Sequence, residues 1–288
     1  MHTFVFFIFI VANIAGSLTP LGDPPLFLGF LRGVDFFWTA EHLILPMLTA
    51  VGLLLAESTC TKEPFGVEGK INFALLGVII GAVLMAGVWD SGIEFTVLGV
   101  HLTGQGVLRD VIFLAAAGLS LALTPADVRS ANQFTWEPVL EVGKLFFGIF
   151  VTIVPVLEML KAGMAGAVSP GGAMVTNADG TANNAMYFWM TGALSGFLDN
   201  APTYLAFFNM AGGDASVLMT EGALTLMAIS MGSVFMGANS YIGNAPNFMV
   251  VAIVQNRGLK MPSFFGYLLW SVGILIPIFL LLTWLYLV

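Results

Sequence analysis

Charge is what this chain has least of. Only 9% of its 288 residues are Asp, Glu, Lys or Arg, against 58% hydrophobic ones. Soluble domains carry about a quarter charged residues, so a lipid bilayer is the solvent that suits this composition. The nine Lys plus Arg are scattered singly through the sequence. With no basic face, nucleic-acid binding is set aside, and the net charge of −8 says little about partners. Cysteine is nearly absent as well. Cys60, the single one, cannot close an internal disulfide, and His2, His42 and His101 lie too far apart for a zinc or haem spacing. No intramembrane Ser–Lys dyad, protease-type aspartate pair or His-rich centre is present, which argues against a membrane-embedded enzyme, and no cofactor is implied.

What the chain has in quantity is apolar sequence. A bilayer core of about 30 Å takes roughly 20 apolar residues in a helix. Five segments meet that test: Phe36 to Ala56, Phe73 to Trp89, Val107 to Leu123, Val139 to Leu160 and Phe265 to Val288. Their polar interruptions, among them Glu41, His42, Arg109, Asp110, Glu141, Lys144 and Glu158, fall near segment ends and read as snorkelling or as i,i+3 pairing of Glu141 with Lys144. The start, "MHTFVFFIFIVANIAGSLTP", lacks the basic n-region of a signal peptide and reads as membrane protein from its first residue. Glycines such as Gly77, Gly81, Gly192 and Gly196 read as sites of close helix packing.

Three regions differ. "ANIAGSLTPLGDPP", "SGFLDNAPTY" and "MGANSYIGNAPN" each sit between apolar runs too short to span. Gly and Pro break helical hydrogen bonding there at Pro20, Gly22, Pro25, Pro202, Gly243 and Pro246, and freed backbone groups are tolerated at membrane depth only where protein or a watery cavity satisfies them. The first and third regions match at an offset of 221 residues: Gly16 with Gly237, Thr19 with Ser240, Gly22 with Gly243, Asp23 with Asn244, Pro25 with Pro246 and Phe27 with Phe248. They read as one broken helix occurring in two structural repeats. If the middle region is the tip of a re-entrant hairpin, the crossing count gives the copies opposite orientation; if it only kinks a full span, they run parallel.

The breaks are rich in oxygen and contain no basic residue. The candidate ion or substrate ligands are Asp199, Asn200 and Thr203 at the middle tip, Asp23 and Thr19 in the first break, and Asn239, Ser240 and Asn244 in the third, where Asn247 adds a further oxygen-bearing side chain. Such groups suit a small hard cation like sodium, with Asp199 and Asp23 as the metal-binding carboxylates. A carboxylate at membrane depth can hold either a proton or a metal ion, and that competition is a basis for exchange. The plainer readings are that Asp199 and Asn200 cap the helix after the tip, and that Gly-Asp-Pro around Asp23 is an ordinary turn.

"LTPLGDPP", "GFLDNAPT" and "MGANSYIGNAPN" together resemble the signature breaks of the ion transporter superfamily. Thr19 to Asp23 and Leu198 to Pro202 look most like its sodium/proton antiporter branch, alongside a related group of citrate transporters. The resemblance covers nearly the whole chain. It implies an all-α polytopic membrane protein, an inverted-repeat transporter with discontinuous helices whose hairpin and broken-helix tips meet at the substrate, commonly as a homodimer in the inner (cytoplasmic) membrane. Only one hairpin is present here, so the first repeat is expected to be incomplete and the chain N-terminally truncated. Residues 1–57 would hold the end of the first repeat. Residues 58–288 would hold the second, with three scaffold spans, a hairpin over about 185–211, a broken helix over about 222–256 and a final span over 263–288. The leading expectation is proton-coupled sodium antiport, without a cofactor beyond the coupling ions. The alternatives are a citrate or other carboxylate transporter with cation coupling, and a truncated subunit that does not transport.

Overall fold

In a computed structural model, the described residues are 2–56, 70–97, 100–131, 134–136, 140, 143–144, 147–148, 151–152, 154–155, 169–256 and 258–288. The expected span Val139 to Leu160, the Glu141–Lys144 pair, Glu158 and Cys60 lie wholly or largely outside them. Residues 1–59 and 138–288 form one compact unit, and residues 60–137 a second.

The second unit is a helical pair. Ile71–Val88 and Gly104–Leu123 are joined through an antiparallel hairpin, Glu94–Val97 with Val100–Thr103, that the apolar pattern did not announce. Thr103 starts the second helix by accepting from the Gly106 backbone N–H at 3.3 Å. Asn72 ties the far end: it donates to Thr124 Oγ1 at 3.0 Å and accepts from Ser120 Oγ at 2.7 Å. Only 11% and 6% of the two apolar windows are buried, so their leucines, isoleucines and valines face outward, as a lipid solvent requires. An added Cβ at Gly77 or Gly81 would meet nothing within 4 Å, so the packing role expected of these two glycines is not seen within the unit.

The first unit is organised around one helix. Ala223–Phe235 is buried at every position from Thr225 to Phe235. Against it packs Asn184–Ser195, so closely that a Cβ on Gly232 would lie 2.6 Å from the Phe188 carbonyl oxygen. Gly192 is equally tight against Met236, as the packing reading of that glycine expects. Asn183 caps Asn184–Ser195 by accepting from Met186 N, and after a four-residue tip the chain turns into Asn200–Met210. That helix packs on Pro24–Leu31, where a Cβ on Gly29 would collide with the Tyr204 hydroxyl. A short helix, Ala215–Thr220, leads to the core helix.

Two apolar helices are interrupted in the same manner. His2–Ile10 passes into a 3-10 turn, Ile14–Leu18, then an extended Thr19 (φ −144°, ψ 154°), and restarts as Pro24–Leu31. Ala223–Phe235 passes into Met236–Asn239, then an extended Ser240 (φ −140°, ψ 169°), and restarts as Ala245–Asn256. Each break folds back on itself through a glycine pair. A Cβ on Gly22 would sit 2.2 Å from Gly16 O, and one on Gly243 2.5 Å from Gly237 O. The matched residues of the sequence therefore take matched conformations. Trp38–Ala56 and Phe264–Tyr286 complete the unit; with the helical pair, they make four helices long and apolar enough to cross a membrane among the described residues.

Candidate functional site

The two breaks and the tip meet inside the first unit. Asp23 opens the restarted helix from an extended backbone (φ −153°, ψ 139°), but its side chain does not cap that helix. Pro24 and Pro25 follow it and have no N–H to offer, so the carboxylate is released to turn elsewhere. It turns to the other two segments. Asn200 Nδ2 donates to Asp23 Oδ1 at 2.6 Å, and Asn244 Nδ2 donates to Asp23 Oδ2 at 3.1 Å. All three residues are at most 3% exposed. A carboxylate out of water needs such charge-assisted partners. The turn reading of Asp23 thus accounts for its backbone and leaves the side chain to this network.

Behind Asn244 the network continues through Asn13, which the motifs did not single out, to Asn247, one of the oxygen-bearing residues of the third break. Asn244 Nδ2 also donates to Asn13 Oδ1 at 3.1 Å, and Asn13 Nδ2 donates to Asn247 Oδ1 at 2.7 Å. Asn247 Nδ2 ends the series on the carbonyls of Gly237 and Ser240, both at 2.9 Å. Asn13, Asn200 and Asn247 are fully buried. The signal for Asn13 was its place: an amide between two half-length apolar runs is costly unless it is paired.

The remaining candidates divide. Ser240 donates to the Gly196 carbonyl, and Ser195 Oγ donates to Ser233 O at 2.6 Å, so the third break and the helix before it are held against the end of Asn184–Ser195. Asp199 accepts from Ala201 N at 3.0 Å and is the N-cap of Asn200–Met210, as the capping reading expects. It is also close enough to Asp23 to interact with it electrostatically. Thr203 Oγ1 donates to the Asp199 carbonyl at 3.0 Å, a local bond within its own helix turn. Thr19 serves through its backbone, its carbonyl accepting from Gly22 N at 2.9 Å. Neither threonine hydroxyl is among the partners of Asp23. Asn239 gives its carbonyl to Ser271 Oγ at 2.6 Å.

Some polar atoms remain open. Among the described residues, Asn200 Oδ1, Asn239 Oδ1 and Ser17 Oγ are buried without a hydrogen-bond partner. Buried unpaired acceptors are uncommon and mark places where an ion or water completes the structure. Asn200 Oδ1 matters most, because its own amide nitrogen already holds Asp23. The pair offers an amide oxygen and a carboxylate, oxygen ligands of the kind that suit a hard cation. Among the described residues no group of three or more His, Cys, Asp or Glu gathers, so amides and hydroxyls dominate any ligand set here.

A protein-family model described as "Putative citrate transport" matches residues 1–287. No curated protein and no solved structure gives a significant match.

Proposed function

The chain belongs to the family described as "Putative citrate transport", and on that premise we propose that it moves a citrate-like carboxylate across a membrane by secondary active transport, coupled to a small cation bound at Asp23. One observation carries the reading: Asp23 is the meeting point of three chain breaks that are distant in sequence, held by Asn200 on one side and Asn244 on the other.

The coupling follows from charge. Citrate is a polyanion at neutral pH, and stretches 13–25, 195–204 and 236–248 contain no Lys, Arg or His. A low-dielectric site with one buried carboxylate and no cationic side chain repels such an anion unless cations travel with it. Asp23 and the open Asn200 Oδ1 supply a cation site, and sodium or a proton suits it. The N-termini of Asn200–Met210 and Ala245–Asn256 are nearby sources of positive potential for a carboxylate. In this reading the matched breaks belong to two inverted repeats, Asn184–Ser195 and Asn200–Met210 form a re-entrant hairpin, and the protein works in the cytoplasmic membrane.

A second reading is proton-coupled sodium antiport. It is favoured by the spent donors of the network: every amide hydrogen of Asn13 and Asn247 has a protein acceptor, which suits a bare cation better than an anion. Proteoliposomes separate the two. Labelled citrate that accumulates only under an inward sodium or proton gradient supports the first reading. Sodium-driven alkalinisation or acidification of the lumen without citrate, and no citrate uptake, replaces it with the second. Neither flux from reconstituted protein overturns both.

A further inference from the structure

We infer that Asn13 is a positioning residue: it fixes which end of the Asn244 amide faces Asp23, and so sets the affinity of the cation site. The inference rests on the reading of Asp23 as that site.

The argument is one of donors and acceptors. An Asn side chain has an oxygen at one end and two N–H hydrogens at the other, and its shape alone does not decide which end points where. Backbone carbonyls do decide, since they can only accept. Gly237 O and Ser240 O both lie 2.9 Å from Asn247 Nδ2, so Asn247 must turn its nitrogen to them and its oxygen toward Asn13. Asn13 must then turn its nitrogen to Asn247. A second fixed acceptor demands the same of it: Ile8 O lies 2.8 Å from Asn13 Nδ2. That carbonyl is free to accept because Ala12 N reaches back to Phe7 O instead. The oxygen of Asn13 is thereby aimed at Asn244, which must present nitrogen. One hydrogen of Asn244 Nδ2 goes to Asn13 Oδ1 and the other to Asp23 Oδ2, both at 3.1 Å, with Ala12 O a weaker third acceptor at 3.4 Å.

The direction set by the third break is therefore transmitted to a carboxylate in the first, and Asn13 is the member of the series through which it crosses. Asn200 is not pinned in this way, since its Oδ1 has no partner, and it keeps an open oxygen for the ion. Nor is the series inherited from the repeat. At the offset of 221 residues, Asn13 corresponds to Val234 and Asn247 to Leu26, both apolar. The two breaks share their backbone course, and this line of amides is added across them.

With alanine at position 13, the Asn244 amide loses the nearer of its two acceptors besides Asp23 and keeps only the longer bond to Ala12 O, so Asp23 loses a well-oriented donor. A site that is no longer preorganised binds more weakly. The test is a double-mutant cycle on the full chain in proteoliposomes: wild type, Asn13→Ala, Asn244→Ala and the double variant, with the cation concentration for half-maximal flux and the maximal flux read separately. Asn13→Ala is expected to raise half-saturation about tenfold, the size of one lost hydrogen bond, with maximal flux within about twofold. In the Asn244→Ala background the same change is expected to do almost nothing. Half-saturation that is unchanged or lower, or effects that multiply in the double variant, overturns the inference. A wild type that moves neither citrate nor sodium overturns the functional reading instead. The same four proteins then decide on Asn13 by their melting: non-additive losses keep its coupling to Asn244, and additive losses end it.

Discussion

Asn244 donates to Asp23 across 3.1 Å, and the two residues occupy matching positions in two chain breaks, 221 residues apart. The two breaks match in sequence and in backbone course, and at this position they differ by a single chemical step, carboxylate in the first and amide in the third. The charge of the pair sits on one side of an otherwise matched arrangement, and the proposed cation site falls there.

That asymmetry is testable by exchange. Asp23→Asn leaves two amides facing each other and is expected to remove cation-dependent flux by more than about tenfold, since hydrogen bonds and ligands to a charged group contribute roughly 1.5–3 kcal/mol. The double variant Asp23→Asn with Asn244→Asp restores one carboxylate at the meeting point and is expected to recover part of it. Flux assays at saturating citrate check both. An active Asp23→Asn protein would remove Asp23 from the coupling site.

Asn200 has two duties, and substitution separates them. Asn200→Asp keeps an oxygen for a cation but replaces the donor to Asp23 with a second acceptor, placing two carboxyl groups in contact. It is expected to move the pH optimum of flux while retaining cation dependence. Asn200→Ala removes both duties and is expected to raise half-saturation at least tenfold. Measured pH profiles of the two variants check the distinction, and identical behaviour would refute it.

Much of this arrangement was legible in the sequence, and the reason is cost. Gly22, Gly243, Asp23 and Asn244 stand out because each is expensive inside an apolar segment, and each shapes or lines the place where the breaks meet. Pattern alone could not reveal pairing. Asp199 and Asp23 looked alike as isolated acids, yet one caps its own helix and the other, followed by two prolines, is left to bridge. Asn13 stands in the first break with nothing nearby in sequence to mark its role, because that role depends on Asn247, 234 residues away. The strand pair Glu94–Val97 and Val100–Thr103 is not legible in the sequence because strands of four residues leave no mark on a pattern read at the length of membrane helices.

Outside the apolar segments, Asp214 gives a pH prediction of known sign. It caps Ala215–Thr220, accepting from the Ser216 hydroxyl at 2.7 Å and from the Ser216 and Val217 N–H groups. The Ser216 hydroxyl, then these amides, hold its carboxyl below the usual aspartate range. A lowered value in the folded state stabilises the fold above the unfolded pKa, and the contribution is lost as pH falls through the folded value. Asp214→Ala is therefore expected to lower the melting temperature at pH 7, and the gap to wild type to close in strongly acidic solution. A gap independent of pH would show that the cap does not act through its charge.

The glycine pairs make the most direct test of the breaks themselves. Gly22→Ala puts a methyl group where only 2.2 Å separates it from Gly16 O, and Gly243→Ala faces both Gly237 O at 2.5 Å and Ser195 O at 2.8 Å. These neighbours are backbone atoms and cannot swing aside as a side chain can, so the turn has to open. Opening it moves Asp23 or Asn244, the next residue in each case, away from its partner. Each variant is expected to lose about 1–3 kcal/mol of stability, as overpacked sites do, and most of its flux. Gly77→Ala is the control: its methyl meets nothing within 4 Å, and alanine is the better helix former by roughly 1 kcal/mol. It is expected to match or exceed wild type in melting temperature with flux unchanged. Equal tolerance at Gly22, Gly243 and Gly77 would mean that the breaks do not need their tight turns to hold Asp23 and Asn244 together.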